Sequence, residues 1–259
     1  MKDFNTFLQE MAASTRELDL EFIKRAEVVS SFNITGADFG HTRYKEEIQY
    51  LITKHFFPNF DLANTASTFN EAAVNGVIRE LKTLDSGKFN QLMSWTPKGV
   101  GPGEVLLYYV IDDCSLGGGS SAGVDITSGG TGYEVKAANL SKDGYFTGYR
   151  LGGTANVSGA MKKAVEITQK LKIKTTRETE INKSQIAQIL ASQYANEWME
   201  EVVQPFKKAA ADYFKGHDTI FMINQTPKAM RGEVFQKTIS EADIELGAIT
   251  GGGIAPKVR

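Results

Sequence analysis

Glycine is concentrated in one stretch of this chain. More than half of its 25 glycines lie between Gly99 and Gly159, interleaved with short apolar runs. A glycine inside a helix costs about 1 kcal/mol relative to alanine, so such a stretch does not propagate long helices. It reads instead as short strands at 122–127, 133–138 and 145–151, joined by Gly/Ser-rich turns of the kind that close hairpins. The segment 104–113 (EVLLYYVIDD) is apolar throughout, and periodicity alone leaves its type open between helix and strand.

On either side the pattern is helical. Phe4, Phe7, Leu8 and Met11 form one stripe at residues 1–12, which suits a helix docked on its own core or a docking peptide for another protein. Further helices are expected at 15–30, at 44–56 with Pro58 as the stop, and at 71–84, closed by Asp85-Ser86-Gly87. The helical pattern returns after Val157 to about residue 171. A long stretch at 184–214 is expected to break or kink at Pro205. DTIFMIN (218–224) has the composition of a buried strand, and the tail ITGGGIAPKVR shows no period, as a mobile or partner-binding segment would. The expected organisation is a helical N-terminal region, 1–96, followed by an α/β core with its tail, 97–259.

Composition removes several classes of function. The one cysteine, Cys114, excludes an intramolecular disulfide and zinc sites built on paired thiolates. His41, His55 and His217 are too scattered for a metal-binding pair or a persuasive nucleophilic triad. There is no phosphate-binding G-x-x-x-x-G-K-[ST], no dinucleotide G-x-G-x-x-G and no G-x-S-x-G elbow. No apolar run approaches the roughly 20 residues that span a bilayer, and the first residues lack the pattern of a secretory signal. A protein without membrane contact, in the cytoplasm or in a host cell or virion, is expected. The net charge of −2 neither favours nor excludes a nucleic-acid partner.

One group of residues carries chemistry. In GVDITSGGTGYEVKAA, a strand through 133–138 puts Glu134 and Lys136 on one face. The turn at 128–132 folds the preceding strand back, so that Asp125 arrives beside Glu134. Two carboxylates and an ammonium then converge at one end of a hairpin whose other residues are apolar. Such charges require a partner or a metal, and hard oxygen donors suit Mg²⁺ or Mn²⁺. Upstream, Gly101-Pro102-Gly103 would aim Glu104 at a fixed point. Asp112 and Asp113 read as a helix end or turn.

Glu104, Asp125 and Glu134-x-Lys136, in that order, resemble the PD-(D/E)xK nuclease superfamily over residues 99–225. That resemblance implies a restriction-endonuclease-like αβββαβ core within an α/β fold. Asp125, Glu134 and Glu104 would then hold a divalent metal, and Lys136 would be the catalytic lysine. The proline of the family motif is absent, Val124 standing before Asp125. Gln185, Gln188, Gln193 and Tyr194 loosely resemble the Gln/Tyr helix of recombination-type nucleases.

The expected function is hydrolysis of phosphodiester bonds in duplex DNA by a Mg²⁺-dependent endonuclease, acting as a homodimer. Seven basic residues between Lys162 and Lys183 stand against three acids; Lys162 and Lys163 are candidate phosphate contacts, or an exposed helix face. Tyr149 and Arg150 line a substrate groove or pack the sheet. Two alternatives remain: a nucleic-acid-binding or phage virion assembly protein that keeps the nuclease fold without catalysis, and a hydrolase of small phosphoesters. The opening MKDFNTFLQEMA resembles those of tailed-phage proteins.

Overall fold

A computed structural model describes residues 34–40, 44–97, 99–117, 124–151, 155–174, 180–225, 230–250 and 253–259. The helices expected at 1–12 and 15–30, and the docking role considered for 1–12, lie outside the described residues. The protein is mixed α/β, combining helices with antiparallel strand pairs. Among the described residues no helix is long and apolar enough to cross a membrane.

Two compact units divide the chain, one running to Val135 and taking back Gly232–Val234, the other comprising Lys136–Arg231 and Phe235–Arg259. The division falls inside a strand and not at the 96/97 boundary expected from composition. Its cause is the segment after Pro97, whose apolar helix is buried among the helices that precede it.

The first unit contains helices α1 (Lys45–Phe56), α2 (Glu71–Leu84), α3 (Ser86–Leu92) and α4 (Pro102–Val110). Side-chain caps start α2 and α3: Asn70 accepts from the Ala73 N–H at 3.0 Å, and Asp85 from the Lys88 N–H at 2.8 Å. In α4 the ambiguous run resolves as helix, with Pro102 in its first turn. Residues 105–110 are all buried, and a helix apolar on every side belongs in a core. The helix packs against α1 and α2. Its C-terminal end is held by Lys45, whose ammonium donates to the carbonyls of Tyr108 and, at 2.8 Å, Ile111. Burial pulls the Lys45 pKa down to about 8, offset in part by Cys114, Asp112 and Asp113. Asp112 and Asp113 form the bend after the helix: Asp112 accepts from Thr65 Oγ1 at 2.6 Å and Asp113 from the Gly129 N–H at 3.0 Å.

Strands β1 (Cys114–Leu116), β2 (Ile126–Ser128) and the first half of β3 (Thr131–Leu140) follow as an antiparallel meander. The β2–β3 turn is Gly129–Gly130, with φ of 57° and 75°. Two successive left-handed residues give the tight hairpin whose twist matches its strands, and glycine adopts them without strain. The glycine-rich stretch therefore does supply hairpin strands, but β1 begins earlier than any strand expected there.

In the second unit the rest of β3 pairs with β4 (Phe146–Thr147), β4 with β8 (Gly253–Val258) and β8 with β7 (Ile244–Thr250), all antiparallel. Strand β5 (Asp218–Gln225) pairs with β3 and with β6 (Val234–Lys237). Helices α5 (Ser158–Lys170), α6 (Lys183–Leu190) and α7 (Gln204–Phe214) complete it. Its core gathers Trp198, Phe206, Phe214, Phe221, Ile244 and Val258, with Phe146 stacked on Phe221 at 4.4 Å.

Three expectations change here. The strand expected over 145–151 shrinks to the two residues of β4, because Gly148 turns the chain at a φ of 81°. The stretch 184–214 breaks after Leu190 rather than at Pro205. Residues Met199–Val203 form a π-turn, in which the Gln204 N–H reaches the Met199 carbonyl, and Pro205 sits just after it in the first turn of α7. The wider turn accommodates the carbonyl that a proline ring cannot serve. The tail is a strand: Ile254 and Val258 are buried in β8, which forms an antiparallel ladder with β7.

Candidate active site

The β2–β3 hairpin brings Asp125 to Glu134. The register Ile126↔Tyr133, continued one step, sets residue 125 opposite residue 134. There the regular ladder gives way to bonds made by Asp125 itself. Its N–H donates to the Tyr133 carbonyl at 2.9 Å, and its Oδ2 accepts from the Val135 N–H at 2.8 Å. Asp125 is thus bonded to both chain neighbours of Glu134. On the other side its carbonyl accepts from the Gly117 N–H at 2.7 Å. Gly117 permits that approach, since a Cβ there would stand 1.8 Å from the Val124 oxygen.

Glu134 is 5 % exposed and Asp125 half-buried. Lys136, also half-buried, follows two residues along the same continuous strand, on the face of Glu134 by the two-residue period. Its ammonium stands 5.4 Å from the centre of the Tyr213 ring on α7, within cation–π range. The sequence carries no sign of this neighbour, because the two residues are distant in the chain and only tertiary folding joins them.

Glu104 is placed differently. It occupies the first turn of α4, where the helix dipole favours a carboxylate. Its Oε1 lies over Gly101, so close that a Cβ at 101 would be 3.2 Å away. The side chain thus folds back on the N-terminus of its own helix.

Among the described residues no group of three or more His, Cys, Asp or Glu side chains stands ready to hold a metal ion. The donor set that the hairpin assembles is the pair Asp125 and Glu134. Two carboxylates fit Mg²⁺ or Mn²⁺, which use one or two protein carboxylates and complete their shell with water and substrate phosphate oxygens. Asp125 has an oxygen besides the one facing Val135, and each carboxylate oxygen can accept more than one contact.

The candidate nucleic-acid contacts separate into two groups. Lys162 and Arg150 are exposed. Lys163 is engaged, 2.9 Å from both Glu197 and Glu201 and 3.7 Å from Glu166. Hydrogen bonds that Lys163 donates to Glu201 and Glu197 raise its pKa above the ordinary lysine value, while Lys163 and then Lys170 lower that of Glu197. The basic excess counted along 162–183 is therefore partly offset by acids from further along the chain. Tyr149 lines no groove: it is buried in the second unit's core, 5.2 Å from Phe221, and burial alone raises its pKa. Gln185 caps its own helix, exchanging bonds with Asn182 and donating to the Lys174 carbonyl at 2.6 Å.

Comparison with known proteins returns no matching family model, no matching curated protein and no matching solved structure.

Proposed function

We propose that this chain is a divalent-metal-dependent DNA endonuclease of the PD-(D/E)xK kind. The observation that carries the reading is Asp125 bonded to both chain neighbours of Glu134, with Lys136 two residues further along the same strand. The element order supports it too: α4, then β1, β2 and β3, then the helical stretch α5 to α7, then β5 beside β3, with β4 as a short addition after β3.

Asp125 and Glu134 would hold Mg²⁺ or Mn²⁺. When bound, such an ion lowers the pKa of water and offsets charge developing on a phosphate oxygen. The backbone bonds of Asp125 fix its carboxylate before substrate arrives, so little reorganisation is needed on binding. Glu134 is held rigid by burial within β3. Lys136 supplies a positive charge and up to three N–H donors to a phosphate oxygen or to the attacking water. Exposed Lys162 and Arg150 would add sequence-independent contacts to the DNA backbone. Cutting both strands of a duplex would take two such sites, hence two copies of the chain.

The test is to incubate duplex DNA with Mg²⁺ and the wild type, Asp125→Ala or Lys136→Ala. The wild type is expected to cut and both variants to lose the activity. A wild type that cuts no nucleic acid, or two variants that cut normally, would overturn the assignment. Cleavage of small phosphoesters alone would replace DNA as the substrate.

A further inference from the structure

We propose that Tyr213 is a positioning residue for Lys136, an inference that rests on the nuclease reading above and assigns a role to α7 in it. Both residues belong to the second unit, and the lysine ammonium stands 5.4 Å from the ring centre. Tyr213 sits near the end of α7 with its backbone anchored by the buried Phe214, whose ring meets its own edge-on at 5.1 Å. Ring and helix are therefore held while the lysine side chain, on its four-carbon stem, is the flexible partner.

The chemistry of the contact suits a lysine that must act on a phosphate. A carboxylate in the place of the ring would hold the ammonium but cancel its charge. An aromatic face attracts the cation through its quadrupole and brings no net charge of its own, so this contact restrains Lys136 without removing the potential a phosphodiester needs. The ring also borders a cavity of about 420 Å³, lined by Asn156, Pro205, Lys208, Ala209, Asp212 and Tyr213. Solvent thus reaches the ring's surroundings, and the ammonium need not be sealed in to be held.

Two readouts test the proposal. In protein carrying ¹³C at the lysine ε-carbon, with Lys136 assigned by Lys136→Arg, its resonance is expected upfield from ring current in the wild type and in Tyr213→Phe. In Tyr213→Leu it is expected to lose that displacement and return to the position of a lysine with no aromatic ring beside it. A wild-type resonance already at that position overturns the proposal, whether or not the protein cuts DNA and whether or not the leucine variant folds. In cleavage of plasmid DNA with Mg²⁺, Tyr213→Leu should lower kcat about ten-fold and leave KM within about two-fold, while Tyr213→Phe stays close to wild type. A rise in KM at unchanged kcat, or loss in the phenylalanine variant as well, makes Tyr213 a substrate contact and overturns the positioning role. If the wild type cuts no nucleic acid, the nuclease reading fails by itself, and the resonance still decides whether the ring holds the ammonium.

Discussion

The carboxylate of Asp125 accepts the backbone N–H of Val135 at 2.8 Å. A side chain here does what a strand carbonyl would do elsewhere in the ladder, and it does so next to a buried glutamate. The bond separates the structural from the chemical role of Asp125. Asp125→Asn keeps an oxygen able to accept from Val135 but loses the charge, whereas Asp125→Ala loses both. Thermal unfolding should show the alanine variant destabilised by about 1–3 kcal/mol and the asparagine variant by clearly less. Both should lose DNA cleavage by about a hundred-fold or more. Equal stability for the two variants would remove the bond from the account.

Gly117 is a test of how tightly Asp125 is located. A methyl group at 117 would overlap the Val124 carbonyl, with backbone on both sides of the clash. Gly117→Ala should therefore cost about 2 kcal/mol or more, read as a fall in unfolding midpoint. Cleavage should fall further than the loss of folded protein explains, because Val124 precedes Asp125. A variant as stable and active as wild type would show that the approach is not needed.

Lys45 gives the stability a dependence on alkaline pH. Burial holds its folded pKa at about 8, against an ordinary value of 10.5. Between those values the unfolded chain binds a proton that the folded chain has released, so stability rises with pH across this window and is flat with respect to this group below it. Denaturation at about pH 8 and about pH 10 should show the wild type gaining relative to Lys45→Met. Parallel behaviour of the two would indicate that the bonds to the Tyr108 and Ile111 carbonyls keep the ammonium charged throughout.

The two neighbouring lysines of α5 should differ in DNA binding. Lys162 is exposed, while Lys163 already faces Glu197 and Glu201 at 2.9 Å. Lys162→Ala should weaken retention of duplex DNA across sequences and reduce the salt slope by about one. Lys163→Ala should change that slope by much less. The reverse order would place the phosphate path on the other side of the helix.

What the sequence makes legible follows from the range of the interactions involved. Helix α2 coincides with the expected 71–84, because its caps, Asn70 and Asp85, and its apolar stripe are all local. The approach of Asp125 to Glu134 is also local, set by a two-glycine turn and the period of a strand. The β8 tail is opaque because its own composition is that of a loop and one of its two partners, β4, is distant in the chain, although the other, β7, directly precedes it. The engagement of Lys163 depends on Glu197 and Glu201, and the neighbour of Lys136 is Tyr213, relations that no spacing within a motif encodes. The break after Leu190 carries a weaker local signal than Pro205, and the π-turn before Pro205 absorbs the stronger one.

The account rests on Asp125 and Glu134 acting as one metal-holding pair. Its most direct test is the rate at which supercoiled plasmid is cut as Mg²⁺ is raised, compared between wild type and Glu134→Gln. The account predicts a wild-type rate that rises with Mg²⁺ and saturates, and a Glu134→Gln rate about a hundred-fold lower at every concentration. Equal rates for the two proteins, or wild-type cutting that is indifferent to Mg²⁺, would contradict it.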